Sequence, residues 1–232
     1  MYGWRGRIGV ILPADNAVLE PDFSRLVPDG VSTHVARLRK SPRSEMPINA
    51  LQEAKTLVRT RVNVIAYMCA ASSFLLGPAK DQALSRDLSE ASGLPSFTAS
   101  TAMVAGLSAL GARRVAVLAP HPPEIAQSLK TYLQESGFET STLSALGLEL
   151  GQINDLPPGT IYRAVAALDL KGADAIFIAA TNFRALDVIE DIERDFGLPV
   201  VTSNQVALWM ALKTLRVSAA RPGFGRLLSM GA

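Results

Sequence analysis

Two rhythms alternate along this chain. Short continuous apolar blocks, such as Ile8-Gly9-Val10-Ile11-Leu12-Pro13, Val62-Asn63-Val64-Ile65-Ala66-Tyr67-Met68 and Val115-Ala116-Val117-Leu118-Ala119-Pro120, read as strands buried on both faces. Between them lie stretches in which apolar residues return every three or four positions. Pro47 opens one of these, and its Ile48, Leu51, Ala54 and Val58 fall on a single helical face. Others run from Asp81 to Ser92, Glu124 to Ser136 and Asp187 to Phe196, and stop at Gly93, Gly137 and Gly197. Glycine takes the left-handed conformation that ends a helix at little cost, so these positions predict helix C-termini. The alternating stretch Val31 to Leu38 reads as a further strand, with His34 a structural residue in it. Strand and helix in turn predict an α/β fold, a doubly wound parallel sheet covered by helices on both faces.

The pattern also repeats. Gly93-Leu94-Pro95-Ser96-Phe97-Thr98-Ala99-Ser100 overlays Gly197-Leu198-Pro199-Val200-Val201-Thr202-Ser203-Asn204 at an offset of 104. Ile8 to Pro13 overlays Val115 to Pro120 at 107, and Ile65 to Cys69 overlays Ile176 to Ala180 at 111. Matches in the same order, with offsets that drift through loop insertions, predict two pseudo-symmetric lobes of about four strands each with a cleft between them. The expected division is residues 1-98 plus 205-232 for one lobe and 99-204 for the other.

Size and charge narrow the function. A chain of 232 residues with 48% hydrophobic content buries a sizeable core. Its 23 Lys and Arg against 21 Asp and Glu leave only +2, which argues against nucleic acid as a partner and for a small molecule. The single cysteine cannot close an internal disulfide, so a reducing, cytoplasmic location is expected. The apolar stretch from Ile8 to Leu12 is too brief for a signal-peptide core or a bilayer span, so no membrane association is expected.

In open parallel sheets ligands bind beyond the carboxyl ends of the strands. The residues there are Asp15 and Asn16, Cys69 to Ser73, Ser100 and Thr101, His121, Thr181 with Asn182, and Ser203 with Asn204. Hydroxyls and amides outnumber carboxylates, a set that donates to an anionic substrate without adding negative charge. Cys69, where an apolar run breaks into small and hydroxyl residues, is the candidate nucleophile, its thiolate expected to be stabilised by exposed N–H groups. Its plain alternative is a small buried hydrophobe. The two histidines, His34 and His121, lie far from Cys69 in sequence, and no metal site is expected. Neither GxGxxG nor GxxxxGK[ST] occurs, so no nucleotide cofactor is implied.

These residues resemble the Asp/Glu racemase superfamily, in the branch that holds maleate cis-trans isomerases and arylmalonate decarboxylases. The resemblance spans essentially the whole chain. It is carried by Ile8 to Pro13 leading to Asn16, by the Cys69 segment, by Gly93-Leu94-Pro95, by Thr181-Asn182, and by Gly197 to Asn204. The ending Ala220-Arg221-Pro222-Gly223-Phe224-Gly225-Arg226-Leu227 is similar to the decarboxylases. Many such proteins carry one catalytic cysteine in each lobe, and here the second position is Ala180. That loss removes two-thiol racemisation and speaks against decarboxylases that deliver their proton from that position.

The arrangement that remains resembles the isomerases. It implies a cofactor-independent isomerase of a small mono- or dicarboxylic acid, with the Cys69 thiolate adding covalently to the substrate. Asn16 matches an asparagine that binds substrate carboxylate. His121 stands where the isomerases usually place a tyrosine, and Gly147 where they place an asparagine. The expected site is Cys69 and His121 as catalytic residues, with Asn16, Ala70, Ala71, Ser72, Thr181 and Asn182 holding substrate. The cluster Arg37, Arg39, Lys40 and Arg43 clamps a dianion if it folds over the cleft, and is otherwise a solvated loop. The alternatives are an arylmalonate-type decarboxylase working through an enediolate, and a non-catalytic carboxylate-binding relic. Similar proteins are commonly homo-oligomers, and a homo-oligomer is expected here.

Overall fold

The apolar blocks become eight strands in two parallel sheets among residues 2–230, which the computed structural model describes. Strands β1 (Gly6–Pro13), β2 (Val31–Leu38), β3 (Val64–Tyr67) and β4 (Ser96–Thr98) form the first sheet, in the order β2-β1-β3-β4. Strands β5 (Arg114–Ala119), β6 (Glu139–Ala145), β7 (Ala175–Ile178) and β8 (Val200–Thr202) repeat that order as β6-β5-β7-β8. In each sheet the order reverses between the two inner strands, β1 and β3 or β5 and β7. A crevice opens there because the connecting helices leave toward opposite faces.

Helices α1 (Leu19–Leu26), α2 (Met46–Val58), α3 (Ala70–Phe74) and α4 (Pro78–Ser92) connect the first sheet. Helix α5 (Ala99–Ala109) leads to β5, and α6 (Pro123–Glu135), α7 (Leu150–Asn154), α8 (Pro158–Ala166) and α9 (Ile189–Phe196) serve the second. Helix α10 (Ser203–Thr214) follows β8 and carries Trp209 and Met210, and the short α11 (Arg226–Ser229) comes after it. The predicted stops hold: Gly93 and Gly197 cap α4 and α9 with φ near +70°, and Gly137, at φ 91°, follows α6.

Alternate residues of β1 face different layers, as strand geometry requires. Ile8, Val10 and Leu12 join a core that runs through both lobes, whereas Ile11 packs under α2 and α4 with Leu38, Leu57 and Leu88. The face of α2 differs from the sequence expectation. Ala50, Ala54 and Leu57 are buried, while Ile48 is 65% exposed and Val58 is 38% exposed. Both sets have helical spacing, but the alanines let the helix lie closer to the sheet. His34 is on β2, half-buried, with a ring nitrogen 3.0 Å from Ser32 Oγ.

The duplication is clearest at the helix starts after β4 and β8. Thr98 caps α5 and Thr202 caps α10, each accepting from the backbone N–H three residues on, while Thr101 and Gln205 reach back to the cap. Such reciprocal caps satisfy N–H groups that a helix leaves unpaired. The two helices then pack on each other, and the contact depends on Gly106. A Cβ there would lie 2.3 Å from Val206 Cγ2, on a β-branched side chain with little freedom to move aside. Gly106→Val is expected to destabilise the protein by about 1–3 kcal/mol, read as a fall in the thermal midpoint of several degrees. An unchanged midpoint would show that the close approach of α5 and α10 is not required.

Candidate active site

The carboxyl ends of β1, β3, β5 and β7 face one cavity of about 690 Å³. Asn16 reaches it from the loop after β1, Cys69 to Ala71 from the turn after β3, His121 from the loop after β5, and Ala180 to Asn182 from the end of β7. Seven of the eight site residues expected from sequence therefore meet on its wall. The eighth, Ser72, is buried behind Cys69 and does not line the cavity, because one helical residue further on α3 already points into the first lobe.

One hydrogen-bonded chain fixes the floor. Asn16 Oδ1 accepts from the N–H groups of Val18 and Leu19, both at 3.0 Å, which orients its amide. Asn16 Nδ2 donates to Thr181 Oγ1 at 3.0 Å, and Thr181 donates in turn to the Met68 carbonyl at 3.1 Å. Three strand ends from two sheets are thereby tied together. The single hydroxyl hydrogen of Thr181 is spent on Met68, so this side chain positions its neighbours, whereas the second amide hydrogen of Asn16 is left for a ligand. Behind it, Asn204 donates to the Thr181 carbonyl at 3.0 Å and to Asp22 at 2.8 Å. Asn204 thus joins the support from behind the wall.

Cys69 is 7% exposed and has Met46 Sδ 3.5 Å from its sulfur. Burial pushes its thiol above the usual range, while the neighbouring Ser72 and Tyr67 hydroxyls and the charge of Arg43 pull it back. The expectation of a thiolate held ionised at rest by nearby amides is corrected here: desolvation outweighs them, and the resting group is the thiol. His121 is 4% exposed, with its ring edge-on to Phe74 at 5.9 Å and no hydrogen-bond partner for Nδ1 among the described residues. Burial, and secondarily Arg43, lower it to about 4, so at neutral pH it is an uncharged imidazole able to take a proton.

The basic cluster divides. Arg37 donates to the carbonyls of Ala14 and Asn16 at 3.0 and 2.9 Å and pairs with Glu20, which braces the loop after β1. Arg39, Lys40 and Arg43 line the cavity, and none of them has an ion pair among the described residues. Arg43 is half-buried. Asp15, Glu124 and Glu149 also reach the wall, each exposed to solvent. Ala180, opposite Cys69 in the duplication, has φ 84°, an unfavourable value for a residue with a side chain.

Sequence reasoning missed Asp81, which is fully buried and accepts from Ser73, Thr98 and Tyr132 at 2.6, 2.8 and 2.8 Å. Tyr132 belongs to α6, so this carboxylate joins the Cys69 side of the cavity to the second lobe. An acidic residue in the first turn of a helix gives no sequence signal for such a role, since most are solvated there. No group of three or more His, Cys, Asp or Glu residues able to hold a metal occurs among the described residues. No helix among them is long and apolar enough to cross a membrane.

A model of the family described as arylmalonate decarboxylase matches residues 8–228. The chain belongs to the arylmalonate decarboxylase family. A maleate isomerase from Nocardia farcinica is 30% identical over 96% of this chain and 95% of its own length. The arylmalonate decarboxylase of Bordetella bronchiseptica is likewise 30% identical, over 95% of each chain. A solved cysteine-to-serine variant of the Nocardia farcinica maleate cis-trans isomerase, with a covalently bound succinylcysteine intermediate, superposes with a TM-score of 0.92. It is 28% identical and covers 98% of this chain and 99% of its own. The chain is thus similar to proteins of both branches of the expected resemblance.

The electrostatics of this member of the family predict opposing pH effects. Asp22, raised to about 6 chiefly by burial, binds its proton more tightly folded than unfolded, so its contribution is full below about pH 3.8 and lost as pH rises through 6. His121, lowered to about 4, contributes above about pH 6.5 and loses that contribution as pH falls through 4. Chemical denaturation between pH 7 and 4 should show His121→Gln losing less stability on acidification than the parent, and Asp22→Asn losing more. Each difference is on the order of 2–3 kcal/mol. Parallel profiles for all three proteins would contradict both assignments.

Proposed function

We propose that this protein is a cofactor-independent isomerase of a small unsaturated dicarboxylic acid, with Cys69 as a covalent nucleophile. The observation that carries this reading is a single thiol on the wall of a cavity that also holds a neutral imidazole, an amide donor and an unpaired, half-buried guanidinium. The covalent succinylcysteine found in a similar isomerase supports the same chemistry.

Three parts of the wall divide the work. Neutral His121 takes the proton of Cys69 as the sulfur approaches the double bond. The thiolate forms a C–S bond at one alkene carbon, and the displaced electron pair moves onto the other carbon and its carboxylate as an enediolate. Donors at Asn16, Asn182 and the first-turn N–H groups of Ala70 and Ala71 stabilise that charge where it develops. The former double bond is now single and rotates. Return of the electron pair expels the thiolate, restores the alkene in the trans geometry, and lets Cys69 recover its proton from His121. Arg43, with Arg39 and Lys40 nearer solvent, holds the carboxylate remote from the enediolate.

Proton NMR of maleate with the protein tests the reading: conversion to fumarate is expected, falling about 10³-fold or more in Cys69→Ala and about 10²-fold in His121→Asn. Arg43→Met should weaken succinate binding by roughly tenfold or more while leaving propionate binding unchanged. Absence of both turnover and a Cys69 adduct would overturn the isomerase reading. The family match favours one second reading, decarboxylation through the same enediolate. Release of carbon dioxide from arylmalonates without isomerisation of maleate would establish it instead.

A further inference from the structure

A buried sulfur whose resting form is the thiol needs groups that favour the anion at the moment of attack, and on the cavity wall Arg43 is one such group. Behind the wall lies a pair of hydroxyls that the isomerisation chemistry leaves unused. Tyr67, the last residue of β3, is fully buried, and its hydroxyl oxygen is 2.5 Å from Ser72 Oγ. Ser72, one turn along α3 and 2% exposed, donates to the Cys69 carbonyl at 3.1 Å. Both hydroxyls thus lie against the residue that carries the sulfur, outside the cavity lining.

We propose that Tyr67 and Ser72 form a hydroxyl pair that turns its hydrogens onto Cys69 Sγ as the thiolate forms, and so sets the nucleophile's reactivity. At rest the two hydrogens serve the Ser72 oxygen and the Cys69 carbonyl. A hydroxyl hydrogen rotates about its C–O bond without moving heavy atoms, so the pair reorients once negative charge appears beside it. Hydrogen bonds to an anion are about twice as strong as neutral ones, and their strength grows where water is excluded.

Neither hydroxyl loses its own proton. Burial pushes the Tyr67 phenol far above its usual range, which keeps it a donor, while the proton leaving Cys69 goes to His121 in the cavity. The other charged groups around the sulfur are Arg43, on the loop before α2, which favours the thiolate, and Asp81 of α4, behind Tyr67. Asp81 is occupied by three hydroxyl donors of its own and does not compete for these two. Tyr67 and Ser72 are positioning residues in this account, since neither lines the cavity.

The inference rests on Cys69 being the nucleophile, but its test does not require the substrate to be known. Iodoacetamide alkylation of Cys69, the only cysteine, is followed across pH in the parent, Tyr67→Phe, Ser72→Ala and Ser72→Thr proteins. Tyr67→Phe and Ser72→Ala should move the midpoint upward by about one pH unit, a tenfold loss of rate below it, with the high-pH plateau unchanged. Ser72→Thr, which keeps the hydroxyl, should restore the parent midpoint. A change in melting temperature or plateau rate without a moved midpoint would mean a purely structural role and would overturn the proposal, as would superimposable profiles. Maleate turnover is scored separately, so a protein that fails to isomerise maleate yet shows the shifted midpoints leaves this inference standing.

Discussion

Two sheets meeting at their carboxyl ends need a joint, and the hydrogen-bonded run from Asn16 through Thr181 to the Met68 carbonyl supplies it. Each participant is almost completely buried, so leaving any partner unmade costs the full desolvation of that group. The joint is also the floor of the cavity. Fixing the lobes relative to each other and fixing the donors relative to the thiol are therefore one constraint, reinforced by Asn204 and Asp22 from behind and by Tyr132 with Asp81 on the opposite flank. Helices α5 and α10, packed tightly at Gly106, keep that geometry from relaxing.

A site assembled this way is electrostatically divided. Burial moves the thiol up and the imidazole down, so both are neutral when no ligand is present. The charge on the cavity wall resides on Arg39, Lys40 and the half-buried Arg43, and on the exposed Asp15, Glu124 and Glu149. A ligand entering the cavity meets side chains of both charges on its wall and neutral hydrogen-bond donors in the buried Asn16 and His121 region. Neutral groups at Cys69 and His121 spare the empty protein an unpaired buried charge there, which would be expensive to keep.

Much of the site was legible in the sequence because strand ends in doubly wound sheets converge by rule. Asn16, Cys69, His121, Thr181 and Asn182 each follow an apolar block, and all reach the wall. Ser72 illustrates where that rule stops. A helix turns about 100° per residue, so in the turn after β3 only Cys69, Ala70 and Ala71 face the cavity and Ser72 faces the core. The α2 face failed for a related reason: two phases of the same period were available, and packing against β1 chose the one with alanines. Asp81 and Asp22 carried no signal, because their burial is decided by residues far away in the chain, among them Tyr132 and Asn204.

The amino-acid sequence by itself determined the alternation of strands and helices, the duplication into matching halves, the helix stops at glycine and the presence of one thiol opposite an alanine. These follow from local periodicity and from backbone preferences that act within a few residues. Only the tertiary structure decided that the thiol is desolvated, that Arg43 stands unpaired beside the cavity while Arg37 is spent on backbone carbonyls, and that the Tyr67 and Ser72 hydroxyls lie against the residue that carries the thiol. Desolvation and pairing are properties of distance between groups remote in the chain, set by how closely two packed lobes approach, and no local pattern encodes them.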